Sequence, residues 1–225
     1  MLNSVDIDAI YKCLPFLKTL KESDRQLLSN LAIKSNFHVG EIIQNREKEC
    51  NGVVVVKDGQ LRAFFESEDG KEITLYRLLS NDICILTASC VLKNITFEVT
   101  LEAEKVSVVY FIPASFWAAL AQSNNAVREF STELVNERFS EVMWVMEQMV
   151  SKNMGQRVAA FLLEQSILDD SRILSITHET IAKNLGTARE VVSRILKYLQ
   201  NDGLLTLSRG QIELTGLEKL REMSR

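Results

Sequence analysis

Two short helical patterns that meet at Gly186 constrain this chain more than any other feature. Residues 177–186 read THETIAKNLG and residues 187–203 read TAREVVSRILKYLQNDG. A short turn carrying glycine between two helices is the signature of a helix-turn-helix unit. The second pattern repeats apolar residues at Val191, Val192, Ile195, Leu196 and Leu199, which is one buried helical face. Arg189, Glu190, Ser193 and Arg194 fall on its other side. Beyond it, Leu204–Leu207 and Ile212–Leu214 are strand-like runs around Ser208-Arg209-Gly210, a β-hairpin or wing. The N-terminal residues of such a second helix read bases in the major groove. Arginine suits guanine O6/N7, and glutamate accepts from cytosine N4. Thr187, Lys197 and Arg209 complete the candidate contact set, with Thr177 and His178 on the first helix near the phosphate backbone. Glu190 has a rival role, because Thr187-x-x-Glu190 has the form of a capping box. A winged module that binds only protein is the alternative for the whole unit.

Charge distribution points the same way. Residues 1–150 hold 15 Lys/Arg against 21 Asp/Glu, a net −6, and residues 151–225 hold 11 against 9, a net +2. The C-terminal part is the phosphate-facing half on this count. The N-terminus MLNSVDIDAI is acidic and lacks the apolar core of a signal peptide. No stretch reaches the roughly 18 apolar residues needed to span a bilayer. These features predict a cytoplasmic protein with no membrane partner. Cys13, Cys50, Cys84 and Cys90 form no CxxC and no closely spaced framework, so they read as free thiols. No nucleophile–base pair, metal-ligand spacing or phosphate loop supports an enzyme.

Upstream, residues 6–33 read as two helices, the first ended by Pro15 and the second capped by Ser23. From Phe37 to Pro113 short β-type runs alternate with turns, Asp58-Gly59 and Asp69-Gly70 among them, and these dipeptides are hairpin signals. Short strands at close spacing predict an antiparallel roll. Asn81–Leu92 interrupts the alternation and reads as a short helix or loop. Ala114–Ala121 is a short helix. A long helix then starts at Asn124 or Asn125 and runs to about Val150, with apolar Val127, Phe130, Leu134, Val135, Phe139, Val142, Val145, Met146 and Met149. Two apolar faces overlap along it, one for the roll and one for a partner helix, so it reads as a dimer helix; packing within one chain is the alternative. Lys152–Gly155 reads as a hinge and Gln156–Gln165 as the first helix of the last domain.

The fold class is therefore α+β: an N-terminal antiparallel β-roll (a double-stranded β-helix or jelly roll) over residues 1–123, a dimerisation helix over 124–151, and a C-terminal winged helix-turn-helix over 152–225. With FHVGEII, VVVKDGQL, EDGKEITLYRLL, FIPASFWAAL, GQRVAAFLLE and ITHETIAKNLGTAREVVSRILKYLQNDGLL, this order resembles the Crp/Fnr family of bacterial transcription regulators over nearly the whole chain. The resemblance implies a homodimer on double-stranded DNA with a palindromic operator, RNA polymerase as a further partner, and an effector in the roll. Glu190, Ser193 and Arg194 match the Fnr-branch Glu-x-x-Ser-Arg pattern that accompanies TTGAT half-sites. Arg189, Glu190 and Arg194 match the Crp-branch pattern that accompanies GTGA. The shared core is TGA.

The effector is left unidentified. Cyclic AMP binding in the Crp branch uses an Arg-Ser/Thr-Ala after a Gly-Glu, and Asn81–Leu92 (NDICILTASCVL) holds no arginine. The iron–sulfur cluster of the Fnr branch needs a run of N-terminal cysteines, and only Cys13 stands there. Haem is disfavoured because His38 and His178 lie in different domains. The candidate effector or redox residues are Asp82, Cys84, Thr87, Ser89 and Cys90. On a continuous helix Cys84 and Cys90 would point about 240° apart. A thiol at a helix N-terminus can act as a redox switch, whereas a buried cysteine is simply a small hydrophobe. A small apolar or aromatic metabolite is equally compatible.

Overall fold

The computed structural model describes residues 4–45, 52–86 and 99–225. The chain forms two compact units: Met1–Phe65 with Leu75–Val142, and Glu66–Thr74 with Met143–Arg225.

The first unit opens with α1 (Ser4–Cys13), a 3-10 turn at Pro15–Thr19 and α2 (Glu22–Leu31). Pro15 stops the first helix, as its fixed φ and missing N–H dictate. Ser23 does not cap the second. Lys21 holds the N-cap position in extended geometry with no side-chain cap bond, and Glu22 and Asp24 place negative charge in the first turn, where the helix dipole favours it. Among the described residues eight strands follow: β1 (Ile33–Phe37), β2 (Ile42–Gln44), β3 (Val53–Asp58), β4 (Gln60–Glu66), β5 (Glu72–Leu79), β6 (Ile83–Cys84), β7 (Thr100–Ala103) and β8 (Ser107–Ile112). They build two four-stranded sheets, ordered β1-β8-β3-β6 and β2-β7-β4-β5. Between the sheets pack Val54, Val56, Val109 and Phe111 from one and Leu61, Ala63, Tyr76, Leu78 and Leu101 from the other. The opposite face of β3 and β8 carries Val53, Val55, Tyr110 and Ile112 into a second core with Ile10, Leu14, Phe16 and Trp117. This is why Val53–Val56 is a continuous apolar run rather than an alternation: both faces are buried.

Two expected turns part company here. Asp69-Gly70 tips a hairpin between neighbouring strands β4 and β5, with the Gly70 N–H donating to Ser67 O at 2.9 Å. Asp58-Gly59 instead carries the chain from one sheet to the other, since β3 and β4 lie in different sheets. A Cβ on Gly59 would stand 2.2 Å from Ser107 Oγ and 2.6 Å from Val106 O, so the corner demands glycine twice, for its φ of +105° and for space.

Helix α3 (Ala114–Ser123) leads to α4 (Asn125–Ser151). The Asn124 side chain accepts the Ala126 N–H at 2.9 Å and starts the helix. Its 27 residues are about 40 Å long. Its apolar positions sort into two sets. Val127 and Leu134 are buried in the core beneath α1 and α3, with Phe130 and Val135 packed against it. Val127 and Leu134 therefore serve the face that packs within the chain and not a partner helix. Phe139, Met146 and Met149 are exposed, as are Met143, Trp144 and Val150, while Val145 is half-buried.

In the second unit α5 (Met154–Leu168) begins earlier than expected, because Asn153 and Gln156 form a reciprocal capping box. Met154 and Gly155 thus belong to a helix and not to a hinge. Then come β9 (Ile173–Leu174), α6 (His178–Leu185), α7 (Arg189–Asn201), β10 (Leu205–Ser208), β11 (Gln211–Leu214) and α8 (Leu217–Met223). The three strands pair in the order β10-β11-β9. One core of Val158, Leu162, Ile181, Val192, Leu196, Leu199 and Ile212 holds the unit together. The hairpin tip belongs to this unit: Thr74 Oγ1 donates to Asn184 Oδ1 at 2.6 Å, and Lys183 pairs with Glu72 at 3.3 Å.

Candidate nucleic-acid interface

The turn between α6 and α7 is built by Gly186 at φ +66°, whose N–H donates to Ala182 O. The Thr187 N–H bonds the same carbonyl at 3.0 Å, so the chain reverses sharply into α7. The Arg157 guanidinium donates to Leu185 O at 2.8 Å and ties α5 to the end of α6. Buried Val192, Leu196 and Leu199 fix the rotation of α7. Residues 189, 190, 193, 194 and 197 then share an outward arc of about 140°, from 100° per residue.

Arg189, Glu190, Arg194 and Lys197 are exposed and Ser193 is half-buried. The four charged side chains have no ion pair or hydrogen bond among the described residues. Glu190 does not cap the helix: Ala188 is the N-cap, with no side-chain cap bond. The expected Thr187 capping box is thus absent, because the tight reversal at Gly186 places the helix start one residue later. Thr177 has a local task, accepting the Thr180 N–H at 3.0 Å as N-cap of α6. His178 Nδ1 lies 2.8 Å from Ser193 Oγ, linking the two helices. In the wing, Ser208 and Gln211 are paired across a two-residue turn, and exposed Arg209 stands at its tip. The sequence patterns located this face; the His178–Ser193 bond left no signal in them.

The roll's candidates fare differently. Asp82 holds a turn, its carboxylate accepting the Leu79 N–H at 2.8 Å. Cys84 is not at a helix N-terminus. It sits in β6 opposite Val54, fully buried, with Sγ 3.6 Å from the Tyr76 hydroxyl. That corrects the helix-terminal redox reading, because a buried strand thiol has neither the dipole nor the solvent access. Thr87, Ser89 and Cys90, like Cys50, lie outside the described residues. Cys13 is half-buried at the end of α1, its thiol donating to Ala9 O.

Two residues that pattern reasoning overlooked meet at this end of the roll. Arg138 of α4 is 4% exposed and stacks over the Tyr76 ring at 5.0 Å. It pairs with Glu141 at 2.6 Å, while its Nε is buried with no partner among the described residues. Burial pushes the Glu141 carboxyl up, against the opposing pull of Arg138, and burial raises the Tyr76 hydroxyl well above its usual range. The available signal was an arginine between Leu134 and Val142 at helical spacing in an apolar stripe. The buried arginines Arg62 and Arg138 pair with Glu102 and Glu141. Among the described residues no three His, Cys, Asp or Glu side chains converge to hold a metal ion.

A roll of this topology followed along the chain by a winged helix-turn-helix with an exposed polar recognition face defines a DNA-binding transcription regulator. Family models agree: residues 34–124 match the cyclic nucleotide-binding domain and residues 156–223 the Crp-like helix-turn-helix domain. A solved structure from Eubacterium rectale, of a protein assigned to the Crp/Fnr family, is 41% identical with a TM-score of 0.91, covering 95% of this chain and 99% of that one. The anaerobic regulatory protein of Pasteurella multocida is 24% identical over 94% of this chain and 79% of its own. Regulatory protein HlyX of Actinobacillus pleuropneumoniae is 25% identical over 92% and 88%. The chain belongs to the Crp/Fnr family of transcription regulators.

Proposed function

We propose that this regulator acts in the cytoplasm as a homodimer on a palindromic operator with TGA-core half-sites, under control of a small-molecule effector in the roll. The observation that carries the DNA contacts is the face of α7, where Arg189, Glu190, Arg194 and Lys197 are exposed and have no partner among the described residues. Arg189, Glu190 and Arg194 supply base-edge chemistry, with Lys197 and Arg209 positioned for phosphates. Val135, Phe139, Val142, Met146 and Met149 follow a four-three spacing along α4, the seam of a two-stranded coiled coil. The exposure of Phe139, Met146 and Met149 in the single chain supports pairing there. Full burial of Cys84 favours a small molecule over a thiol switch, and Arg138 Nε beside Tyr76, buried with no partner among the described residues, supports an effector with a polar group. RNA polymerase is the further partner if the regulator activates.

Fluorescence anisotropy on a palindrome of two TGA-core half-sites, against a scrambled duplex at one salt concentration, tests the reading. Specific binding, equal for reduced and oxidised protein, is expected; equal affinity for both duplexes overturns it. Gel filtration at micromolar concentration tests the dimer, and a monomer there refutes the seam.

A further inference from the structure

Ser193 lies on the outward arc of α7, yet its hydroxyl is engaged with His178 Nδ1 at 2.8 Å. A free serine hydroxyl has one hydrogen and two lone pairs, and it rotates to suit either a donor or an acceptor. For that reason serine at a base edge discriminates poorly. The bond to an imidazole nitrogen removes this freedom. When Nε2 carries the imidazole proton, Nδ1 accepts the Ser193 hydrogen and leaves only lone pairs facing outward. His178 opens α6 directly after the Thr177 cap, at the helix end where a phosphate oxygen is favoured, and an anion accepting from Nε2–H favours this neutral tautomer over the one protonated at Nδ1. Both side chains are half-buried, and their helices are locked together by Ile181, Ala182, Val192 and Leu196, so the bond geometry is fixed before any ligand arrives.

We propose that His178 is a positioning residue that makes Ser193 a one-way hydrogen-bond acceptor, so that the pair selects an amino group, adenine N6 or cytosine N4, at one position of each half-site. This rests on the reading of α7 as the base-facing helix. It goes further by assigning a specificity role to a residue of the preceding helix and by naming the chemical group selected.

The test uses the full chain and an operator obtained by random-site selection. Anisotropy is measured for every single base-pair substitution in one half-site, with Ser193→Ala, His178→Ala, His178→Asn and the double alanine variant. Ser193→Ala and His178→Ala are expected to flatten discrimination at the same base pair, by about tenfold. The double variant should lose no more than either single one, since residues acting as a unit are non-additive. His178→Asn, which keeps an acceptor near the Nδ1 position, should restore most of the preference. Thermal melts show that each variant is folded. If His178→Ala weakens all duplexes equally and lowers the salt dependence, His178 is a phosphate contact only and the proposal falls. It falls equally if the base selected on the contacted strand is guanine or thymine, neither of which presents an amino group in the major groove. A wild-type protein with no sequence preference overturns the base-facing reading itself. Loss of preference in Arg194→Ala with none in His178→Ala overturns this inference alone.

Discussion

The charged side chains of the roll and those of α7 are put to opposite uses. In the roll Asp6 is 3% exposed and receives Lys34, Lys57 and the Tyr110 hydroxyl at 2.8 to 3.0 Å. Arg62 is 4% exposed, pairs with Glu102 and covers the Phe64 ring, and Arg77 is held by Glu104. A buried charge must be matched within the chain because no water remains to solvate it. On α7 the cations stand in solvent, where lacking a partner costs little. Charge that is already paired builds the fold, and charge left exposed and unpaired is available to a polyanion. The difference is one of burial and not of composition, since both regions use the same residue types.

Replacing Asp6 by alanine should have the largest effect. It leaves two lysines and a buried tyrosine without their common acceptor, and urea unfolding should register a loss of about 3 kcal/mol while the folded fraction keeps its operator affinity. A loss in DNA binding without a loss in stability would invert the comparison. Arg194→Ala should do the reverse, costing about 2 kcal/mol of specific binding with an unfolding midpoint indistinguishable from wild type. A third effect separates the regions by pH. Lys34, opposed by burial and joined by Lys57 and Tyr110, holds the Asp6 carboxyl well below the usual carboxylate range. A depressed carboxylate stabilises the fold above its unfolded-state pKa near 4 and loses that contribution as pH falls below it. Stability should therefore drop by about 1 kcal/mol per pH unit below pH 4, and Asp6→Asn should blunt the drop. The smallest effect belongs to Lys197→Ala. It should weaken binding to specific and scrambled DNA alike and reduce the salt slope by about one; a sequence-dependent loss would move Lys197 into the base-reading set.

Helix α4 shows where pattern reading stops. Its sequence announces a long helix with too much apolar surface for one face, and that is what forms. Which residue serves which face was not legible, because Val127 and Met149 are equally apolar as letters. Only the packing of α1 and α3 around Val127 and Leu134 sorts them. The cap of α7 failed for a related reason: Thr187-x-x-Glu190 has the right spacing, but the turn at Gly186 spends Thr187 on reversing the chain. In contrast, Gly186, the α7 apolar stripe and the wing were all readable, since each is a short-range device with its own residue signature.

The sequence by itself determined the order of parts, the helix-turn-helix, its outward polar residues and the family. These follow from periodicity and turn chemistry, which act over a few residues. Tertiary structure alone decided that Asp58-Gly59 joins two sheets, that Cys84 is core, that Arg138 lies over Tyr76, and that His178 holds Ser193. Each depends on residues brought together from distant points of the chain, and a contact between distant residues has no local pattern to betray it.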